Sequence, residues 1–199
     1  LHSSWRNTNL NSVQEGTDLK LELRDYPRIA IFVGLIAALG VIPAIQVIPG
    51  VPVTAQTLGV MLAGAVLGSY RGTLAVLMFE LLTLAGLPLL AGGRGGLSAF
   101  VGPTAGYLFG WIIGVWVIGF VIENLPKVPL FLSSLLAFVL GGIVAIYVPG
   151  ILWYAYTQNA PVLAVAQGNL VFLVGDSLKI AVALAVLIAL KAAYPKALR

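Results

Sequence analysis

Residues 173–193 read LVGDSLKIAVALAVLIALKAA. From Ile180 to Leu190 every side chain is apolar, and the run is closed by Lys179 on one side and Lys191 on the other. About 20 apolar residues suffice for a helix to cross the hydrocarbon of a bilayer, so the stretch predicts a spanning helix with an acid and an amine at its start. A charge near lipid costs about 2.5–3.5 kcal/mol even on the mildest scale. Asp176 and Lys179 therefore need a partner, a cavity or a ligand. Three residues apart on one helix face, they can pair or jointly grip a ligand. The pattern GDSLK also predicts that Asp176 lies in the first turn, where the helix dipole favours a carboxylate.

The rest of the chain answers to the same solvent. Hydrophobic residues make up 60% of the 199 and charged residues 9%, with a mean hydropathy of +1.03. That is too apolar for a soluble surface of ordinary charge density. Apolar segments near 29–47, 54–69, 72–90, 104–122, 131–150 and 173–193, bounded by Pro, Gly or charge, predict an all-α integral membrane protein with six transmembrane helices. IPGVPV at 48–53 reads as a Pro-broken turn, and 151–172 as an interfacial loop or short capping helix. Residues 1–28 form a polar tail, read as cytoplasmic and not as a signal peptide, ahead of a membrane domain over 29–199. If both termini are cytoplasmic, that side holds Arg6, Lys20, Arg24, Arg28, Arg71, Lys127, Lys191, Lys196 and Arg199, and the outer loops hold only Arg94. This is the positive-inside asymmetry expected of a cytoplasmic membrane, and it puts the GGRGG loop, the 48–53 turn and the 151–172 segment together on the external face. The net charge of +4 thus reports topology and not nucleic-acid binding. No internal repeat argues for an inverted-repeat carrier.

Chemistry is limited by what is missing from the sequence. Without cysteine there is no disulfide, thiolate catalysis or thiolate-bound metal, and the one histidine, His2, supports neither a metal cluster nor a Ser-His-Asp triad. No enzyme, cofactor or metal site is expected. Binding groups are more plentiful on the outer side. LLAGGRGGLSAF at 89–100 sets Arg94 among glycines that allow main-chain N–H groups to approach a ligand closely, Gly93 and Gly95 beside it. Arg94 can bind a carboxylate through two parallel hydrogen bonds, or a lipid phosphate. Asn169 and Tyr107 fall on or near the same side. Glu80, in VLMFELLTLAG, reads as a buried hydrogen-bonded acid or a proton carrier. In the first helix Ala30, Gly34 and Ala38 recur every four residues, leaving a smooth stripe for close helix packing, within the chain or against a partner subunit.

GLPLLAGGRGGLSAFVGPTAGYLFGW and GNLVFLVGDSLK resemble the BioY family, the biotin-specific S components of energy-coupling-factor (ECF) transporters. PVTAQTLG at 52–59, GLP at 86–88, GGxGG at 92–96, GPTAGY at 102–107 and NLVFxxGDxxK at 169–179 agree in order, and the likeness runs over nearly all of 29–193. Val174 stands where the family often has Pro. The resemblance implies a six-helix protein that captures biotin at its external side. It carries substrate binding to Asp176 and Lys179, and ligand contact to Arg94.

Biotin's ureido ring offers N–H donors and a carbonyl, and its valerate tail a carboxylate. Asp176 matches the donors, Lys179 the ureido carbonyl or the carboxylate, and Arg94 the carboxylate. Tyr107 and Phe100 are expected along the rings and chain, with Gln56, Asn169 and Trp153 as further contacts. The resemblance also implies partners, because no GxxxxGK[ST] motif is present to drive transport. These are a transmembrane coupling subunit and a pair of ATPase subunits, engaged through the Ala30–Gly34–Ala38 stripe. The rival readings are an S component for another vitamin, and a small partner-independent channel or carrier using Glu80.

Overall fold

The computed structural model of the chain describes residues 21–48 and 51–194. Arg6, Lys20, His2, Lys196 and Arg199, and most of the polar tail, lie outside the described residues. The elements in order are α1 (Asp25–Gly40), β1 (Ile45–Ile48), β2 (Val51–Val53), α2 (Gln56–Leu84), α3 (Leu97–Val101), α4 (Ala105–Asn124), α5 (Leu130–Ala137), a π-helical segment (Phe138–Val144), α6 (Ala145–Thr157), α7 (Val162–Asn169) and α8 (Phe172–Ala193). The described chain is helical apart from the antiparallel β1–β2 hairpin. Among the described residues four stretches are long and apolar enough to cross a membrane: α2, α4, the continuous run Leu130–Thr157, and α8.

The element α2 is not one straight rod. Gly68 leaves helical geometry with φ 83° and ψ −178°, a conformation essentially restricted to glycine. Beyond it, a Cβ placed on Gly72 would lie 2.9 Å from the Ala63 carbonyl oxygen. In a straight helix residues nine apart are separated by about 13 Å. The chain therefore folds back at Gly68, and 56–67 and 69–84 are the two arms of a helical hairpin, matching the separate segments expected near 54–69 and 72–90. Glu123, from the end of α4, closes the corner. The Ser69 N–H donates to its Oε1 (2.9 Å) and the Ser69 hydroxyl to its Oε2 (2.6 Å), so a carboxylate satisfies the new helix start.

Three expectations need correction. The first helix ends at Gly40 and not near 47, because Pro43 follows and the chain turns extended. Of the stretch at 48–53, expected to be a Pro-broken turn, Ile48 and Val51–Val53 belong to the paired strands β1 and β2, Ile45 opposite Val53, and 49–50 lie outside the described residues. The aromatic part of 151–172 continues α6 to Thr157, and only α7 is the short helix foreseen there.

At the centre α4 packs against α2 on one side and α6 on the other. One core cluster joins Ile36, Val60, Val76, Phe79, Trp111, Val115 and Ile146; a second joins Met61, Ile118, Phe138, Ile180 and Leu187. Large apolar side chains also point outward, among them Ile113, Trp116, Val148, Val182 and Ile188. On a soluble protein so many would be a liability, whereas in a bilayer they face a solvent as apolar as themselves. On α1, Ile29 and Ile36 are buried while Ala30, Gly34 and Ala38 are exposed. The small-residue stripe is thus not an internal packing face.

Candidate substrate-binding site

A cavity of about 80 Å³ opens between the end of β2, the start of α2, the loop carrying Leu90 and Arg94, α4, α6 and α8. By area its wall is mostly apolar, from Val53, Leu90, Leu108, Trp111, Ile146 and Phe172, and eight polar residues share it: Thr54, Thr57, Arg94, Thr104, Tyr107, Tyr147, Asp176 and Lys179. A pocket with an apolar body and a small number of placed polar groups is the usual form of a small-molecule site.

The best-organised part is a chain of hydrogen bonds across three elements. Lys179 Nζ lies 2.8 Å from Asp176 Oδ1 and donates to Thr57 Oγ1 at 2.9 Å. The Tyr147 hydroxyl donates to Asp176 Oδ2. Asp176 is buried, so an unpaired carboxylate would be costly there, and its two oxygens each have a donor. Asp176 is the fifth residue of α8, which starts at Phe172. The expectation of a first-turn acid is therefore corrected: the carboxylate is held by Lys179 of its own helix and Tyr147 of α6, and not by the helix start.

Arg94 reaches the same cavity on a tight turn. Leu90 and Arg94 exchange backbone hydrogen bonds (3.0 and 3.2 Å), and Gly92 and Gly93 between them have φ of 78° and 69°. Two consecutive left-handed residues are what glycine permits without strain. Gly95 lies against the Leu87 carbonyl, where a Cβ would fall 2.2 Å from the oxygen. The Arg94 Nε donates to the Ala91 carbonyl at 3.3 Å. Desolvation at the cavity lowers its pKa from the ordinary arginine value, and the guanidinium remains a cation at neutral pH.

The other residues singled out from the sequence have different places. Tyr107 lines the cavity and its hydroxyl donates to Asn169 Oδ1 (2.7 Å). Asn169, itself buried, donates to the Val165 carbonyl (2.8 Å), so it stands behind Tyr107 and not on the cavity wall. Gln56 is fully buried away from the wall. Its Nε2 donates to the Ile36 carbonyl (3.1 Å) and the Leu89 carbonyl (3.0 Å), and its Oε1 accepts from the Ala91 N–H (3.0 Å). It ties α1 and the glycine loop to α2. Phe100 packs on the core and on Phe109, and Trp153 donates from Nε1 to the Gly102 carbonyl at 2.9 Å; neither lines the cavity.

Glu80 is also buried off the wall, its Oε1 without a hydrogen-bond partner among the described residues. Thr57 and Tyr147 belong to the site and were not singled out from the sequence. Thr57 lies inside the PVTAQTLG motif, a signal that was available. Tyr147 sits in a plain apolar run, and nothing local distinguishes it from its neighbours.

At the opposite end a larger cavity, about 420 Å³, is lined by Arg24, Asp25, Arg28, Arg71 and Glu123 among apolar residues. Arg71 Nε pairs there with the buried Asp25 at 2.8 Å. Among the described residues no three His, Cys, Asp or Glu side chains come together as a metal site.

Known proteins are similar to this chain in sequence, and a solved structure is similar to it in fold. The chain is 51% identical to the biotin transporter BioY of Rhodobacter capsulatus over 69% of this chain and 72% of that protein. To the biotin transporter BioY of Rhizobium etli it is 43% identical over 88% of this chain and 97% of that one. Its fold is similar to a crystal structure, at 2.1 Å, of the S-component for biotin from an ECF-type ABC transporter. The TM-score is 0.81, with 31% identity over 93% of this chain and 94% of the other. The model of the BioY family matches residues 11–196, and this chain belongs to the BioY family.

Proposed function

We propose that the chain captures biotin and takes it up across the cytoplasmic membrane as the substrate-specificity subunit of an ECF-type transporter. The observation that carries this is the Asp176–Lys179 pair, held in the wall of a mostly apolar cavity that Arg94 also lines, in a chain of the BioY family. Asp176 accepts from a ureido N–H, and Lys179 donates to the ureido carbonyl or the carboxylate. Arg94 takes the valerate carboxylate as a charge-assisted pair, and Tyr107, backed by Asn169, flanks the apolar part. The chain then acts as a binding protein and not as an enzyme.

The membrane arrangement that fits is six passes: α1, the two arms of α2, α4, the run Leu130–Thr157, and α8. Arg24, Arg28 and Arg71, just past the Gly68 corner, line the cavity at the other end, and Lys127 after α4 and Lys191 near the end of α8 are likewise off the substrate cavity, which favours that end as cytoplasmic. The exposed Ala30–Gly34–Ala38 stripe is the proposed contact for the transmembrane coupling subunit, with ATPase subunits supplying the energy. The test is to purify the chain from its host, identify bound small molecules by mass spectrometry, and titrate the emptied protein with a panel of vitamins. Biotin recovered and bound more tightly than the other vitamins supports the reading; preferential binding of another vitamin overturns it.

A further inference from the structure

We propose that Tyr147 is a specificity-determining residue: by occupying one oxygen of Asp176 it makes the site read a neutral cyclic urea and refuse the corresponding cyclic guanidinium. The inference rests on the biotin reading above and adds a residue and a selectivity to it. A carboxylate has about four acceptor positions, two on each oxygen. Lys179 Nζ takes one on Oδ1 at 2.8 Å and the Tyr147 hydroxyl takes one on Oδ2. An ammonium has three protons; one goes to Asp176 and one to Thr57 Oγ1 at 2.9 Å. What the network still offers a ligand is one open acceptor position on each Asp176 oxygen and, next to the one on Oδ1, a single remaining donor on Lys179.

The Oδ1 acceptor and that donor are the complement of a cyclic urea, in which each edge sets an N–H next to the carbonyl oxygen. A ring guanidinium presents two N–H donors side by side instead. It needs two adjacent acceptors, which are the two oxygens of one carboxylate. Here each oxygen already carries a donor, the Lys179 ammonium on Oδ1 and the Tyr147 hydroxyl on Oδ2, so a cationic pair of N–H groups has to share both oxygens with a like charge and a second donor, whereas the single N–H of a urea edge needs one open position only. The discrimination therefore uses an obstructing donor as well as a matching one.

The position of Tyr147 follows from its element. It is the third residue of α6, directly after the π-helical segment, whose wider i→i+5 turns shift the helical phase before α6 begins. Gly150, one turn further on, has no side chain, and the ring of Tyr107 lies against it; a Cβ there would fall 2.3 Å from ring carbons. Both tyrosines thus reach the cavity from neighbouring helices without competing for space.

The test compares biotin with 2-iminobiotin, its guanidinium analogue, by calorimetry at neutral pH on the full chain in detergent, for the parent and Tyr147→Phe. The parent is expected to prefer biotin by at least about a hundredfold. In Tyr147→Phe, biotin should weaken by about threefold to thirtyfold, while 2-iminobiotin holds or tightens, so that the preference falls at least about tenfold. Tyr147→Leu, which also lacks the hydroxyl, carries the same comparison if the phenylalanine variant does not fold. A purely structural tyrosine would weaken both ligands equally, and an unchanged ratio in the folded variants overturns the inference. A parent chain that binds no biotin overturns the biotin reading and this inference with it. That outcome is distinct from biotin binding with an unaltered ratio.

Discussion

At the residue scale the chemistry concentrates in side chains that the membrane would otherwise forbid. Removing one member of a buried, hydrogen-bonded contact typically costs about 2–5 kcal/mol of binding. Asp176→Ala and Lys179→Ala are therefore each expected to weaken biotin by more than about 30-fold, measured by calorimetry on folded protein; unchanged affinity would remove the pair from the site. Arg94 calls for a different measurement, because its role is tied to one charge on the ligand. If it takes the valerate carboxylate, Arg94→Ala loses much of its affinity for biotin and little for biotin methyl ester. A parent chain that binds ester and acid equally well would exclude that role.

Gln56 shows how a residue can matter to the site without facing it. Its three hydrogen bonds satisfy two carbonyls and one N–H of buried or half-buried backbone. Gln56→Leu should cost about 2–3 kcal/mol of stability and speed proteolysis within the 86–96 loop. The motif PVTAQTLG drew attention to Gln56 as a ligand contact, but a glutamine's direction is set by which backbone groups the fold leaves unpaired, and sequence does not display that.

At the element scale the sharpest constraint is the corner at Gly68. Any side chain there meets both the φ of 83° and the Glu123 carboxylate, whose Oε1 would lie 2.1 Å from a Cβ. Gly68→Ala is expected to cost about 3 kcal/mol or more, seen as a lower Tm and poor recovery of folded protein. On α1 the opposite holds. A Cβ added at Gly34 would meet nothing within 4 Å, so Gly34→Leu has room on the isolated chain. Biotin affinity should stay near normal, while uptake in cells supplying the coupling subunit and ATPases is lost. Normal uptake would rule out docking through this stripe. Element boundaries were legible where punctuation is strong, as at Pro129 before α5, where a segment was expected from near 131. They were misread where a helix simply continues, as in the aromatic stretch of α6, because in lipid an aromatic helix and an interfacial loop have similar compositions.

At the scale of the whole molecule, charge is sorted to the ends, and the end opposite the substrate cavity holds the Asp25–Arg71 pair. Asp25 precedes the apolar stretch of α1, which begins at Ile29. Burial pushes the Asp25 carboxyl up, but the hydrogen bond from the Glu22 N–H and the Arg71 guanidinium outweigh it, holding its pKa below the ordinary 3.8. A carboxyl with a lowered folded pKa stabilises above its unfolded value and loses that contribution as pH falls through the folded one. Stability should therefore be flat above about pH 4 on this account and decline below it. Asp25→Asn is expected to flatten that decline in melting experiments across the acid range. The bilayer fold was determined by the sequence alone, since 60% hydrophobic content and long uncharged runs leave only helices able to satisfy their own backbone in hydrocarbon. The charge asymmetry, the five motifs and the Asp176–Lys179 spacing are likewise local patterns, readable one stretch at a time. What only the tertiary structure decided was which side chains meet. Tyr147 and Thr57 reach Asp176 and Lys179 across gaps of 29 and 122 residues, and such meetings depend on a glycine corner and a π-helical phase shift whose geometry no single stretch of sequence encodes.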